Sequence, residues 1–178
     1  MSLSRHISSL RRLLLAACVA VTLAACGSSS SAPTSTTAST PWTPSPAGQL
    51  GTQPTVTFPT AAPPTSLVKE DLIAGNGAVA AAGDSVTVQY VGASYQIKKV
   101  FQASWNTSGP FSFTLGVGRV IPGWDQGFSG MKVGGRRELI IPPTLAYGAT
   151  PPPGSGIPPN ETLIFIVDLL SVSSASGG

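Results

Sequence analysis

The sequence predicts an α+β fold in which an antiparallel β-sheet wraps around one short α-helix. Several segments alternate apolar and polar residues with the two-residue period of a strand. Only one segment has apolar residues at helical spacing. The 178-residue chain contains 20 glycines and 17 prolines, and clusters of these residues separate the periodic segments as turns would.

Four segments carry the strand pattern. They are residues 85–91, 111–115, 136–141 and 162–170. In the first, Val86, Val88 and Tyr90 share one face. In the last, apolar residues occupy both sets of alternating positions, with Leu163 on one face and Ile164 on the other. This is typical of a central strand that is covered on both faces.

The helix candidate covers residues 122–131. It begins with a proline, which suits the first turn of a helix. Trp124, Phe128 and Met131 follow at positions i, i+4 and i+7, so they share one face. Gly127 and Gly130 lower the helix propensity, and the expected length is therefore about two turns.

Charge excludes a nucleic-acid-binding protein. The formal net charge is +3 at pH 7, but three arginines fall within residues 1–12, and the rest of the chain balances seven basic residues against seven acidic ones. Arg136 and Arg137 are neighbours on a predicted strand and point to opposite faces, so they form no basic patch. We therefore expect no nucleic-acid partner.

The most reactive residue types are confined to the N-terminus. His6 is the only histidine, and Cys18 and Cys26 are the only cysteines. Residues 27–178 thus lack the side chains for Ser-His-Asp or Cys-His catalysis, for His/Cys zinc sites and for disulfides. We expect this part of the chain to act without a metal and without a cofactor.

Residues 1–25 have the pattern of a secretory signal. Residues 1–12 are basic, and the uncharged run at residues 13–25 is too short to span a membrane as a helix. Its end, Leu23-Ala24-Ala25-Cys26, resembles the lipobox of bacterial lipoproteins, in which the cysteine is lipidated and becomes the new N-terminus. An ordinary signal with an incidental cysteine is the alternative. Lipidation of Cys26 would place the protein in the bacterial cell envelope, anchored to a membrane and facing outside the cytoplasm.

A long uncharged segment follows the signal. Of the 40 residues at 27–66, 34 are Ser, Thr, Pro, Ala or Gly. Such a segment buries too little apolar surface to fold by itself, and its prolines favour extended conformations. We therefore predict a disordered tether at residues 26–66, one domain at residues 67–172 and a flexible tail at residues 173–178.

Aromatic and branched side chains recur near the predicted turns, a set that by itself is typical of a hydrophobic core. Their sequence context is more specific. The ordered motifs are Val88-Gln89-Tyr90-Val91-Gly92, Lys99-Val100-Phe101, Gly109-Pro110-Phe111, Val120-Ile121-Pro122-Gly123-Trp124, Arg137-Glu138-Leu139, Ala146-Tyr147-Gly148 and Leu163-Ile164-Phe165. In content, order and spacing they resemble the FKBP-type peptidyl-prolyl cis-trans isomerases, over about residues 67–172.

The resemblance implies a sheet half-wrapped around the helix, with a substrate pocket between them. Trp124 would form the pocket floor, and the Ile121 N–H and the Tyr147 hydroxyl would each bond a substrate carbonyl. The residues implied in substrate binding are Tyr90, Phe101, Phe111, Val120, Ile121, Trp124, Tyr147 and Phe165. Those implied in catalysis are Tyr147, Ile121 and Gln102.

The implied activity is the acceleration of X–Pro bond rotation in exported proteins, in an apolar pocket and without covalent or metal chemistry. The implied partners are proline-containing polypeptides and the family's macrolide ligands, and a monomer is expected. Gln102 stands where the family usually has an aspartate, although its amide could still bond the Tyr90 hydroxyl. This departure leaves an alternative open, a non-catalytic proline-peptide binding module or chaperone that uses the same groove. The loop at residues 151–156 is expected to overhang the pocket.

Overall fold

The structure, a computed structural model, describes residues 42–107 and 109–174. The predicted signal, Cys26, the first part of the predicted tether and residues 175–178 lie outside the described residues. Within the described ranges, no helix has the length and apolar character needed to cross a membrane.

The described residues form six strands and one α-helix. The strands are β1 Val68–Ile73, β2 Ser85–Ser94, β3 Lys99–Ala103, β4 Phe111–Thr114, β5 Arg136–Ile141 and β6 Leu163–Ser173, and the helix is α1 Pro122–Phe128. All four predicted strands are present as β2, β4, β5 and β6. Strands β1 and β3 were not predicted. They lie at the two edges of the sheet, and their charged residues interrupt the apolar alternation.

The sheet is antiparallel throughout, with the strand order β1-β5-β6-β2-β3. Strand β4 pairs with the first half of β2, from Ser85 to Val88, and β3 pairs with the second half, from Val91 to Ser94. An extra residue shifts the register in β1 at Leu72, in β3 at Phe101 and in β6 at Leu170, and such bulges bend a strand and increase its twist. The predicted α+β class, a sheet with one helix, is confirmed.

Helix α1 lies close against β5, and glycines make this approach possible. A Cβ atom at Gly127 would lie 2.6 Å from Cδ1 of Leu139, and a Cβ at Gly123 would overlap Ile141. The helix ends at Phe128, earlier than the predicted residue 131. Gly130 has a φ of 77°, a left-handed conformation that is incompatible with continuing the helix. Met131 is nevertheless buried in the core beside the helix.

Strand β6 is apolar on both faces because two hydrophobic clusters meet it. Leu163 and Phe165 belong to the cluster on the helix side, and Ile164 and Ile166 belong to a second cluster on the opposite side. All four are buried. The prediction of a central strand covered on both faces is confirmed.

Residues 42–66, which we call the N-terminal strap, supply apolar residues to the second cluster. Trp42 is only 6% exposed, and Val56 is buried in the same cluster, with Phe58 packed against it. The prediction of a disordered tether is therefore wrong for residues 42–66. The prediction relied on the low content of apolar residues, which limits the surface that a segment can bury by folding on itself. These side chains instead pack against the sheet.

Hydrogen bonds fix the strap to the sheet in addition to the apolar contacts. The backbone N–H and the hydroxyl of Ser45 donate to the buried Glu138 carboxylate at 2.9 and 2.6 Å. The Arg136 guanidinium donates to the backbone oxygens of Ala47 and Thr52 at 2.8 and 2.9 Å, and it also pairs with Asp168. These contacts satisfy buried charges that would otherwise be costly.

Arg137 points the other way and donates to the backbone oxygen of Gly127 in α1 at 2.7 Å. The prediction that Arg136 and Arg137 point to opposite faces is thus confirmed.

Candidate active site

A cavity of about 470 Å³ opens between α1 and the sheet. Its lining residues come from α1, from four strands and from two connecting segments. They are Tyr90, Phe101, Gln102, Phe111, Arg119, Val120, Ile121, Trp124, Tyr147 and Phe165. The structure therefore brings together every substrate-binding and catalytic residue that the resemblance implied. Arg119 lines the same cavity and was not predicted.

Trp124 connects the cavity to the core. Its side chain is 5% exposed, and its ring meets those of Tyr90 and Phe165 edge-on with centroid distances of 5.2 Å each. On its other side it contacts Phe128 of the helix at 5.4 Å. Edge-to-face pairs of this kind contribute beyond simple area burial. Trp124 is thus both a core residue and a cavity residue. The aromatic set therefore forms part of the hydrophobic core and part of the cavity wall at the same time.

The alternation of β2 explains why the cavity is open. Tyr90 points towards the helix, and Gly92 is the next residue with that orientation. A Cβ atom at Gly92 would lie 2.7 Å from Phe165 and 2.8 Å from Phe101. Those two rings meet edge-to-face at 5.8 Å. Glycine at this position therefore gives the two phenylalanines the room to form one wall.

Ile121 is the residue before the helix, and its backbone polar groups differ in their bonding. Its carbonyl oxygen accepts from the Trp124 N–H at 2.9 Å. Its own N–H has no hydrogen-bond partner among the described residues. Pro122 begins the helix without an N–H of its own, so the Ile121 amide is the last backbone donor before the helix, and within the described ranges it is free.

Two tyrosine hydroxyls supply the other neutral polar groups. Burial raises the pKa of Tyr90, and the neighbouring Tyr147 raises it further. Burial also raises the pKa of Tyr147. Both phenols therefore stay protonated around neutral pH and can donate hydrogen bonds. Within the described residues, neither hydroxyl has a hydrogen-bond partner, and Gln102, whose amide could have bonded the Tyr90 hydroxyl, does not do so.

Backbone hydrogen bonds hold the turn that carries Tyr147. The N–H of Gly148 donates to Pro143 at 3.0 Å, and the N–H of Asn160 donates to the carbonyl of Gly148 at 2.7 Å. The loop at residues 151–156 contributes no side chain to the cavity lining. The residue after this loop, Ile157, is buried in the core on the helix side. That the loop overhangs the cavity stays a prediction.

Arg119 lies on the turn between β4 and α1, directly before Val120. The Asp125 carboxylate accepts from the backbone N–H groups of Gly116 and Gly118 at 2.8 and 3.0 Å. This fixes the turn on which Arg119 stands. The sequence signal that could have identified it is its position next to the Val120-Ile121 motif.

Comparison with known proteins places this fold and cavity in a family. Residues 77–170 match the model of the FKBP-type peptidyl-prolyl cis-trans isomerase family. An FK506-binding protein of Streptomyces anulatus is 53% identical over 120 residues, which are 67% of this chain and 97% of that protein. The yeast peptidyl-prolyl cis-trans isomerase FPR2 (Saccharomyces cerevisiae) is 50% identical over 94 residues, or 53% of this chain and 69% of that protein.

Comparison of the fold with solved structures indicates the same family. The crystal structure of AtFKBP13 matches with a TM-score of 0.56 at 37% identity, over 62% of this chain and 96% of that one. The fold and the cavity thus define an isomerase of X–Pro peptide bonds. The chain belongs to the FKBP-type peptidyl-prolyl cis-trans isomerase family.

Proposed function

We propose that the protein accelerates X–Pro bond rotation in exported polypeptides by holding the proline in the cavity above Trp124. The amide resists rotation through its partial double-bond character, with a barrier of about 18–20 kcal/mol. The twisted transition state has lost that conjugation and is less polarised. Aromatic and branched walls favour it over the planar amide, and this differential binding lowers the barrier. The observation that carries the proposal is the convergence of the aromatic side chains on one cavity.

Two free donors orient the substrate chain in this mechanism. The unpaired Ile121 N–H bonds one substrate carbonyl, and the Tyr147 hydroxyl bonds another. Bond rotation forms and breaks no covalent bond, so the reaction needs no nucleophile and no acid–base step. Gln102 lies at the rim of the cavity, where an uncharged amide adds a polar contact without the charge of an aspartate.

Removal of the Tyr147 hydroxyl tests the mechanism. We expect Tyr147→Phe to slow the isomerisation of Leu-Pro and Phe-Pro peptides about two- to tenfold, because one hydrogen bond contributes about 0.5–1.5 kcal/mol. The rate is measured by NMR exchange on the chain from residue 27, and circular dichroism checks the fold.

A matched control makes the same chemical change elsewhere. The Tyr95 hydroxyl donates to the Ala61 oxygen in the strap and does not line the cavity. Tyr95→Phe should leave the rate unchanged. Equal rates for both variants would contradict the role proposed for Tyr147.

Gln102 favours a second candidate function, a proline-peptide binding module or chaperone with weak catalysis. Its side chain is exposed and makes no hydrogen bond to Tyr90 within the described residues. Gln102→Asp restores the residue type usual in the family and should raise both the isomerisation rate and the affinity for FK506. A wild-type protein that binds proline peptides without accelerating their exchange would favour the binding module.

We also propose that the mature chain is anchored to a membrane through a lipid on Cys26, outside the cytoplasm. The lipobox-like tetrapeptide supports this. Since the strap packs from Trp42 onwards, the spacer proposed here is residues 27–41, which even if fully extended would reach at most about 54 Å. We expect Cys26→Ala to abolish partitioning into detergent in cells that process lipoproteins. Cys18→Ala lies within the predicted signal and serves as the control that should still partition.

A further inference from the structure

Arg119 is the only charged side chain among the residues that line the cavity. It is exposed. The ion pairs found within residues 42–107 and 109–174 are Arg136–Asp168 and Arg137–Asp71, so Arg119 has no acidic partner there. The cavity rim therefore carries one uncompensated positive charge.

The surrounding groups leave this charge available. Asp125, in the nearby first turn of α1, uses both carboxylate oxygens to accept from the Gly116 and Gly118 N–H groups. Gln102, also at the cavity, is uncharged. The backbone that carries Arg119 is thus fixed, while its exposed side chain lines the same cavity as the groups proposed to hold the substrate.

We propose that Arg119 is a specificity-determining residue that makes the enzyme prefer substrates with an acidic side chain close to the proline. The inference rests on the proposed isomerase function of the same cavity. Arginine recognises carboxylates through paired, charge-assisted hydrogen bonds. Because Arg119 is exposed, the expected preference is modest, about two- to fivefold, and it weakens as salt screens the charges.

The test compares peptides that differ by one side chain. The peptides all contain the same Leu-Pro pair. At each position near that pair in turn, three peptides are compared that carry Glu, Gln or Lys there and are otherwise identical. Isomerisation is followed by NMR exchange, since a coupled protease would add its own charge preference. The measured quantity is the ratio of kcat/KM for the Glu peptide to that for the Lys peptide, which needs no comparison between protein preparations.

The wild-type protein should give a ratio of about two- to fivefold at one position or more, falling towards one in about 1 M salt. Arg119→Gln should bring the ratio close to one, and Arg119→Glu should reverse it. Lys132→Glu is the matched control, because it makes the same change in net charge at an exposed residue outside this cavity. It should retain the wild-type ratio.

Two results would overturn the inference and leave the proposed function intact. One is a wild-type ratio of one at every position while the neutral Gln peptides are still accelerated. The other is a ratio that Lys132→Glu changes as much as Arg119→Glu does, since the effect would then come from net charge. If no peptide is accelerated by any variant, the proposed function fails and the inference fails with it.

Discussion

Truncation of Trp42 tests whether the N-terminal strap is part of the folded domain. The side chain is 6% exposed and belongs to the cluster on the face opposite the helix. A buried aromatic side chain removes about 150–250 Å² from water, and at about 25 cal/mol per Å² this amounts to about 4–6 kcal/mol as an upper bound. Measured aromatic-to-alanine changes in cores cost about 3–5 kcal/mol. We therefore expect Trp42→Ala to lower the free energy of unfolding by about 3–5 kcal/mol.

The assay is urea unfolding of the chain from residue 27, followed by far-UV circular dichroism. With a slope of about 1–3 kcal/mol per M, the midpoint should fall by at least about 1 M. Leu50→Ala is the control within the same segment, because Leu50 is 42% exposed, and it should change the stability by less than about 0.5 kcal/mol. Limited proteolysis of the wild-type protein should leave a fragment that still contains Trp42. Equal midpoints for the two variants, or rapid cleavage within residues 42–66 of the wild-type protein, would refute the packing argument.

Two further predictions concern buried groups. Gly127→Ala should destabilise the protein by about 1–3 kcal/mol, because its new Cβ would lie 2.6 Å from Leu139. The measurement is the midpoint of thermal unfolding, which should fall. Gly51→Ala in the strap is the comparison: a Cβ there meets nothing within 4 Å but φ is 82°, so any loss of stability in that variant comes from backbone strain and not from a steric clash. Burial raises the pKa of Glu138 above its ordinary value of 4.5, so between pH 4.5 and that raised pKa the folded state binds more protons than the unfolded state. The stability of the wild-type protein relative to Glu138→Gln should accordingly fall as the pH rises above 4.5; a difference that stays constant with pH would contradict the raised pKa.

The elements that could be predicted from the sequence are those in which each face is buried, or exposed, along its whole length. The alternation in β2, β4 and β6 reflects burial of one face or of both faces along the strand, so a period of two is visible. The start of α1 was visible too, since a proline opens it and Trp124 and Phe128 share one face. The end of the helix was harder to predict. Gly130, whose left-handed conformation stops the helix, and Gly127, which packs tightly inside it, are both glycines and cannot be told apart in the sequence.

The cavity was predictable through its ordered motifs, and its polar details were not. The resemblance identified the residues that converge from separate strands onto the cavity. It could not show that the hydroxyl of Tyr90 and the amide of Gln102 find no hydrogen-bond partner within residues 42–107 and 109–174, because hydrogen bonding depends on distances of a few tenths of an ångström. Arg119 was missed because a lone exposed arginine in a sequence carries no sign of which surface it borders.

The strap shows most clearly what only the tertiary structure decided. The sequence determined that β6 has two apolar faces, with Ile164 and Ile166 on the second. It also determined that residues 42–66 are too poor in apolar side chains to fold by themselves. Only the folded chain brought these two facts together, because burial depends on the pair of surfaces that meet and not on either one alone. Trp42 and Val56 pack against a face that the sheet already presents, and the buried Arg136 and Glu138 make the hydrogen bonds that fix the strap in place.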